Sequence, residues 1–501
     1  MREKKNILDR RQFLKVGPAS ALLAGLVTTG AAKEALAEKA ARELTQAIVR
    51  EHDDFPVPVR DDYQPMPHYK NIFGPAVTGR YLMAAGKSIP EDVLATGDSF
   101  LKKWNYHFDP DKPGHDQLSK AMCGGAWALI NKVAGPSGAA ISDYGLLRWT
   151  QPEDKPPMSF ADHNFVHKEK YQFKSREFAS AAIKRAARLY GADLVGIARR
   201  DTRWDYSEFI NPAPPMAREM FPPPPTPGSV PKIMEMMQNW GPKDWFFGWD
   251  RFPFKPKTVI VVGFEMDYEG ISASPTEVSS AAVADRYSEM VKVAYQLSVF
   301  LKQLGYNAVP CGNDTALSIP YAVAAGLGET GRNGLLINYK YGPRIRLAKV
   351  YTNLDFVAYD KPKTFGVKDF CRNCMRCADS CPSKAISFDE DPSFEPTHDD
   401  KDPFYNNKGA LKWYVNCRKC FQFWEKIGTD CSNCIASCPY NKPDFWHHRI
   451  VRKMGKIEID ALHSFLREMD IVFGYGNTFD QKAIGRFFEN RKDRIYDGGL
   501  S

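Results

Sequence analysis

Residues 371–382 read Cys-Arg-Asn-Cys-Met-Arg-Cys-Ala-Asp-Ser-Cys-Pro, and residues 431–439 read Cys-Ser-Asn-Cys-Ile-Ala-Ser-Cys-Pro. The first stretch is a complete C-x2-C-x2-C-x3-C-P run, the spacing with which bacterial two-cluster ferredoxins hold their iron–sulfur cubes. Three thiolates at these short gaps wrap one cube corner by corner, and the fourth, beyond a tight turn, faces the other cube. The second stretch gives C-x2-C-x3-C-P, and its leading cysteine lies far upstream, at Cys420 or Cys417. Crosswise ligation places one 4Fe–4S cluster on Cys371, Cys374, Cys377 and Cys438. It places the other on Cys381, Cys431, Cys434 and either Cys420 or Cys417. Zinc is the competing reading, because Cys371/Cys374, Cys417/Cys420 and Cys431/Cys434 are C-x2-C pairs. Zinc leaves the third and fourth cysteines of each motif and both prolines unexplained. Nine of the eleven cysteines fall between 371 and 438. Cys123 and Cys311 stand outside and read as small buried hydrophobes.

A ferredoxin alone needs far fewer than the 501 residues of this chain. The 43% hydrophobic and 13% aromatic content supports sizeable cores. The net charge is +8, and half of it belongs to residues 1–37, which carry seven Lys/Arg and three Asp/Glu. The remainder has no basic run interleaved with aromatics, so no nucleic-acid partner is expected. Arg10-Arg11-Gln12-Phe13-Leu14-Lys15, a small-residue apolar stretch over 16–32 and Ala35-Leu36-Ala37 form a twin-arginine signal with its cleavage site. That route exports folded proteins, which suits clusters built before export. No other segment approaches the eighteen apolar residues that a spanning helix needs.

Upstream of the cysteines the pattern is α+β. Residues 38–170 form an N-terminal unit in which no chemistry is legible. A helix runs from the N-cap Ser175 to Tyr190, with Phe178, Ala182, Ala186 and Leu189 on one face, and Gly191 stops it. Residues 192–198 and 258–264 read as buried strands. The Pro- and Trp-rich stretch 205–256 reads as an insertion between two strands of one sheet. Ser274-Pro-Thr-Glu277 reads as a capping box with proline at the first helical position. The helix it opens carries the stripe Val283, Tyr287, Met290, Ala294, Leu297, Leu301 and Leu304. Residues 335–339 and 345–351 read as two strands around a Gly342-Pro343 turn. Gly326-Leu-Gly-Glu-Thr-Gly331 matches G-x-G-x-x-G, but a strand follows it rather than a helix, so it is not read as a dinucleotide fingerprint. The unit 171–365 is thus a core, 366–445 is the cluster module, and 446–501 closes the chain.

Taken in order, the leader, Ala-Gly-Leu-Gly-Glu-Thr-Gly-Arg (325–332), Tyr-Gly-Pro-Arg-Ile-Arg (341–346) and the two cysteine motifs resemble the corrinoid-dependent reductive dehalogenases, from about residue 170 to 445. The resemblance implies a cobamide-binding core similar to the nitroreductase fold, with a two-cluster ferredoxin-like module appended. It implies a base-off cobamide, and the chain lacks the D-x-H-x-x-G corrinoid run. The implied reaction replaces carbon–halogen by carbon–hydrogen in a small organohalide, using two electrons and a proton. The cofactor does the hard chemistry and the protein supplies orientation and electrostatics. A small membrane-anchor subunit, a membrane electron donor, a place on the outer face of the cytoplasmic membrane, organohalide respiration and a homodimer are further implications.

The residues matching the family's catalytic trio are Tyr287, Asn313 and Arg346. A free phenol, with a pKa near ~10, is a slow acid at neutral pH, and a nearby guanidinium stabilises the phenolate it leaves. The Asn amide would orient the phenol or hold the departing halide. The bland readings are a core tyrosine, a turn asparagine and a surface arginine. Cys420-Phe-Gln-Phe-Trp424 matches the family's cysteine before an aromatic pair, which favours Cys420 as the ligand and puts Trp424 near the pocket. Gly326, Gly328 and Gly331, with Thr315–Tyr321, are expected to touch the corrin or its tail, since glycine permits close approach. The rival readings are an enzyme similar to epoxyqueuosine reductase and a non-catalytic exported electron carrier.

Overall fold

Thr-Val-Ile-Val-Val-Gly-Phe-Glu (258–265) is a mostly β-branched run, and in the computed structural model every residue of it except Glu265 is buried. A strand that is apolar on both faces belongs inside a covered sheet. The structure describes residues 49–72, 88–106, 108–134, 165–210, 246–252, 254–313, 315–398, 405–442, 467, 476, 478 and 481–489. The twin-arginine leader, most of the expected insertion and most of 446–501 lie outside these. The main sheet consists of β1 (Leu194–Arg199), β2 (Thr258–Glu265), β3 (Ala308–Cys311) and β4 (Ile345–Thr352), in the order β1-β2-β4-β3, with every pairing antiparallel. β1 and β2 are neighbours although residues 200–257 separate them in sequence.

Period-two alternation sorts the strand residues into two cores. Ile260, Val262, Phe264, Ala348 and Val350 face one side. Val259, Val261, Leu347 and Tyr351 face the other, with Trp204 and Tyr321. The described helices that matter for the site are α1 (Glu91–Tyr106), α2 (Gln117–Ala134), α3 (Arg176–Tyr190) and α4 (Glu277–Gln303). The third and fourth cover the first face of the sheet, and the second packs along the fourth.

The caps of α3 are as expected: Ser175 accepts from Phe178 N, and Gly191 follows at φ +120°. Its buried face is different. Ala179, Ile183, Ala186 and Ala187 face the sheet, while Phe178 and Leu189 are 38% and 71% exposed. Small alanines let the helix approach the strands closely, and the larger side chains are turned outward. The α4 stripe is buried at Val283, Met290, Ala294, Leu297 and Leu301, but its cap is Thr276, whose Oγ1 accepts from Ser279 N. Ser274 is not the cap.

Two further expectations change. Leu336–Ile337 pairs with Glu329–Thr330, whereas β4 joins the main sheet, so the two strands do not form one hairpin. Among the described residues, only the Asn338–Gly342 bridge links them. Gly342 sits at φ +61°, and a Cβ there would lie 2.4 Å from Tyr440 O. The cluster module has taken the space in which a longer hairpin would grow. The strand 308–311 was hidden by its shortness and its proline. Among the described residues, no helix is long and apolar enough to cross a membrane.

Two buried polar side chains bind this core to the cysteine loops. Ser274 Oγ donates to Asn433 Oδ1 and accepts from Ser432 N, both at 2.8 Å. Arg344 is 2% exposed, and it donates to Glu265 Oε1 at 2.6 Å and to Asn441 Oδ1 at 2.9 Å. Ser274→Ala strips two buried groups of a partner. It is expected to destabilise the protein by about 1–3 kcal/mol, measured by urea unfolding, with iron released at lower urea. An unchanged midpoint would show that this link contributes nothing.

Candidate iron–sulfur and catalytic site

Helix α5 (Val367–Cys374) carries Cys371 and Cys374. The Glu329 carboxylate accepts from Phe365 N and Val367 N at its start, and burial pushes that carboxyl up to about 7. Met375 breaks the helix at φ +51°, and Cys377 follows in a one-turn helix. Cys371, Cys374, Cys377 and Cys438 line one small cavity, together with Arg332 and Tyr440. The Cys438 and Cys377 thiols each feel Cys371 and Cys374. In the second group, Cys420 feels Cys434, Cys417, Cys431 and Cys381, and Cys381 acts on both Cys431 and Cys434. Crosswise exchange of Cys381 and Cys438 is therefore the arrangement that the fold presents.

Helix α6 (Cys417–Ile427) separates the two candidate leading cysteines. Cys420 and Cys434 pack against the same buried cluster around Cys381. Cys417 packs beside Phe100 and Phe421. Burial pushes Cys371 up to about 11 and Cys434 up to about 12, so metal must displace protons to bind there. Among the described residues, no three His, Cys, Asp or Glu side chains are placed to share one metal ion.

Tyr287 and Arg346 come together. Arg346 Cζ lies 4.9 Å from the centre of the Tyr287 ring. The sheet sends Arg346 to the α4 face because it alternates in phase with Ala348 and Val350. Tyr287 shares an apolar cluster with Cys434, so the pair stands beside the second cysteine group. Arg346 Nε and Asp430 Oδ1 are buried with no hydrogen-bond partner among the described residues, leaving one donor and one acceptor for a bound polar group. Burial pushes the Asp430 carboxyl up to about 7, against the pull of Arg346. Asn313 accepts from Ser318 Oγ at 2.9 Å, and the buried Lys349 Nζ donates to that same hydroxyl. Continuing the β3–β4 register two residues past Cys311 brings Asn313 level with Leu347, on the face of the sheet opposite Arg346, so the fold does not bring it to the Tyr287–Arg346 pair.

Trp127 of α2 was not legible as a site residue. It stacks on Tyr287 with centroids 5.3 Å apart, and its Nε1 donates to Ser280 Oγ. Ser280 and Tyr287 are two turns apart on one face of α4, so the indole lies along that face. Trp104 meets Trp127 edge-on, and Phe100 links it to Trp424. A single tryptophan in an Ala- and Gly-rich helix gives no signal in sequence. The glycines expected at the corrin are pressed against the chain itself. Cβ atoms at Gly326 and Gly328 would lie 2.4 and 2.2 Å from Lys361 O and Ile337 O. Both line a cavity of about 380 Å³ with Glu51, Tyr339, Lys363 and Phe365, and neither Tyr287, Arg346 nor Trp424 borders it. Gly331 borders the first cysteine cavity instead.

A doubled cysteine motif docked on a sheet, with a Tyr–Arg pair beside one cysteine group, has the chemistry of an iron–sulfur oxidoreductase. A family model for the 4Fe-4S dicluster domain matches residues 370–448. The tetrachloroethene reductive dehalogenase of Desulfitobacterium hafniense is 40% identical over 406 residues, covering 76% of this chain and 72% of that protein. The tetrachloroethene reductive dehalogenase of Dehalobacter restrictus is 35% identical, covering 96% and 97%. The chain belongs to the reductive dehalogenases. A solved reductive dehalogenase described as B12-dependent has the same fold, at TM-score 0.57 and 19% identity over 88% of this chain; the match spans about half of that longer protein, 50%.

Cys420→Ser is expected to lower the iron content of anaerobically purified protein from about eight per chain toward about four, while Cys417→Ser keeps it. The reverse result would move the ligand to Cys417.

Proposed function

We propose that this chain is the catalytic subunit of a corrinoid-dependent reductive dehalogenase, taking a chlorinated ethene or a similarly small organohalide. The observation that carries the reading is the Arg346–Tyr287 pair set beside the Cys434 group. The names of the relatives, one of them matched over 96% of the chain, support a chloroethene substrate. They favour dehalogenation over a tRNA-modifying reductase or a bare electron carrier. We read the core as nitroreductase-like and the module as holding two 4Fe–4S clusters. The second group, Cys381, Cys420, Cys431 and Cys434, is the inner cluster, and the first is the outer one.

A bound cobamide, base-off in this reading, supplies the metal centre that takes electrons and breaks the carbon–halogen bond. Arg346 Nε and Asp430 Oδ1 would face it. The overall change consumes two electrons and one proton, forms a carbon–hydrogen bond and releases halide. Tyr287 gives the phenolic proton to the carbon that loses halide. Arg346 sets a positive charge against the ring as negative charge is left on the oxygen. Trp127 fixes the ring plane and, with Trp104 and Trp424, walls the site from water, which strengthens the Arg346 interaction. For Asn313 a role toward the phenol or the halide rests on the family resemblance alone, since its amide oxygen is engaged by Ser318.

The twin-arginine leader supports export, and with it a place on the outer face of the cytoplasmic membrane. There a small anchor subunit and a membrane donor would feed the outer cluster, in organohalide respiration. Replacing Arg10 and Arg11 by Lys should retain the protein in the cytoplasm, followed by fractionation; continued export would remove the leader reading.

Tyr287→Phe, loaded with about eight irons and one cobalt per chain, is expected to lose at least about 100-fold in kcat on a chloroethene. Full activity with both cofactors bound would end the proton-donor role. Wild-type protein with eight irons but no cobalt after corrinoid supply would point to an electron carrier.

A further inference from the structure

Arg332 is 1% exposed. Among the described residues, its hydrogen bonds all go to main-chain carbonyls. Nε and Nη2 donate to Cys371 O at 3.0 and 2.8 Å, and Nη2 reaches Arg372 O and Glu390 O at 3.3 and 3.4 Å. Nη1 donates to Ser387 O at 2.9 Å and Asp389 O at 2.5 Å. The guanidinium lies 4.7 Å from the centre of the Trp413 ring, whose Nε1 also donates to Asp389 O. Among the described residues, no carboxylate forms an ion pair with it. Carbonyl dipoles solvate this charge without cancelling it, which is a costly way to bury an arginine.

The neighbours explain the arrangement. Arg332 borders the same cavity as Cys371, Cys374, Cys377 and Cys438, and its charge acts on the first three of those thiols. A cube with four thiolate ligands is an anion, and each electron it accepts makes it more negative. A fixed cation on the cavity wall, in a low-dielectric surround, favours the reduced form.

We propose that Arg332 raises the reduction potential of the cluster on Cys371, Cys374, Cys377 and Cys438, so that this cluster accepts electrons readily from the outside donor. The proposal rests on the two-cluster reading above. Lys442 also bears on Cys438, but it stays in place in the variants below. Arg346 serves the other group and is separate from this charge.

The test is an EPR-monitored redox titration of the full chain, after counting irons. About four irons in the wild type would overturn the two-cluster reading and this proposal with it. With about eight, Arg332→Gln should lower one of the two potentials and leave the other in place. At a fixed potential, the reduced-to-oxidised ratio of that cluster should fall at least about tenfold, equivalent to about 59 mV for one electron. Arg332→Lys keeps the charge and loses the planar fork, and should stay near wild type. Unchanged potentials in Arg332→Gln, or an equal fall in Arg332→Lys, overturn the proposal. If neither variant holds its irons, Trp413→Leu decides, because it removes the ring and keeps the charge. Wild-type potentials then support the proposal, and the same fall assigns the effect to packing.

Discussion

Two loops that must trade a cysteine govern this architecture. Cys438 lies with the group built from Cys371, Cys374 and Cys377, and Cys381 lies with the group built from Cys431 and Cys434. Such an exchange interlocks residues 371–381 with 420–438, so neither loop can settle without the other. The core then grips the interlocked pair through buried polar contacts: Glu329 at the start of α5, Arg332 on the Cys371 carbonyl, Arg344 on Asn441 and Ser274 on Asn433. Each contact costs free energy if either partner is removed. The cluster module is therefore a continuation of the core rather than an appended bead.

The same grip places the chemistry. β4 starts just after Arg344, so anchoring Arg344 to Glu265 and Asn441 sets where Arg346 emerges. The strand's alternation then turns Arg346 toward α4 and Tyr287. Trp127 arrives on Tyr287 from a helix far away in sequence, steadied by Ser280 from the same face of α4. The wall of the site and the holding of the phenol come from α2, and the charge beside it comes from β4.

The two buried arginines are divided between the two cysteine groups. Arg332 stands at the first cysteine group, and Arg346 at the second, next to Tyr287. Neither has a partner carboxylate within ion-pair distance among the described residues. A cation left uncancelled in low dielectric acts on whatever anion lies nearest. For Arg332 that is the first cysteine group; for Arg346 it is the Asp430 carboxyl together with Cys434.

Much of this was legible from local pattern. The cysteine spacings, the caps of α3, the buried runs of β1 and β2 and the stripe of α4 follow from rules that act over a few residues. The inward face of α3, the true cap of α4 and the separate fates of residues 336–337 and 345–352 did not, because each depends on what packs opposite. Glycine shows the division most clearly. The sequence marks Gly326 and Gly328 as sites of close approach, yet only the fold reveals that the approaching groups are the chain's own carbonyls. By itself the sequence determined two groups of closely spaced cysteines, with Cys417 and Cys420 left as alternatives, since ligand spacing is a property of the local chain. The tertiary structure alone decided that Trp127 lies on Tyr287 and that Arg332 faces one thiol group and Arg346 the other, because long-range packing leaves no local signature.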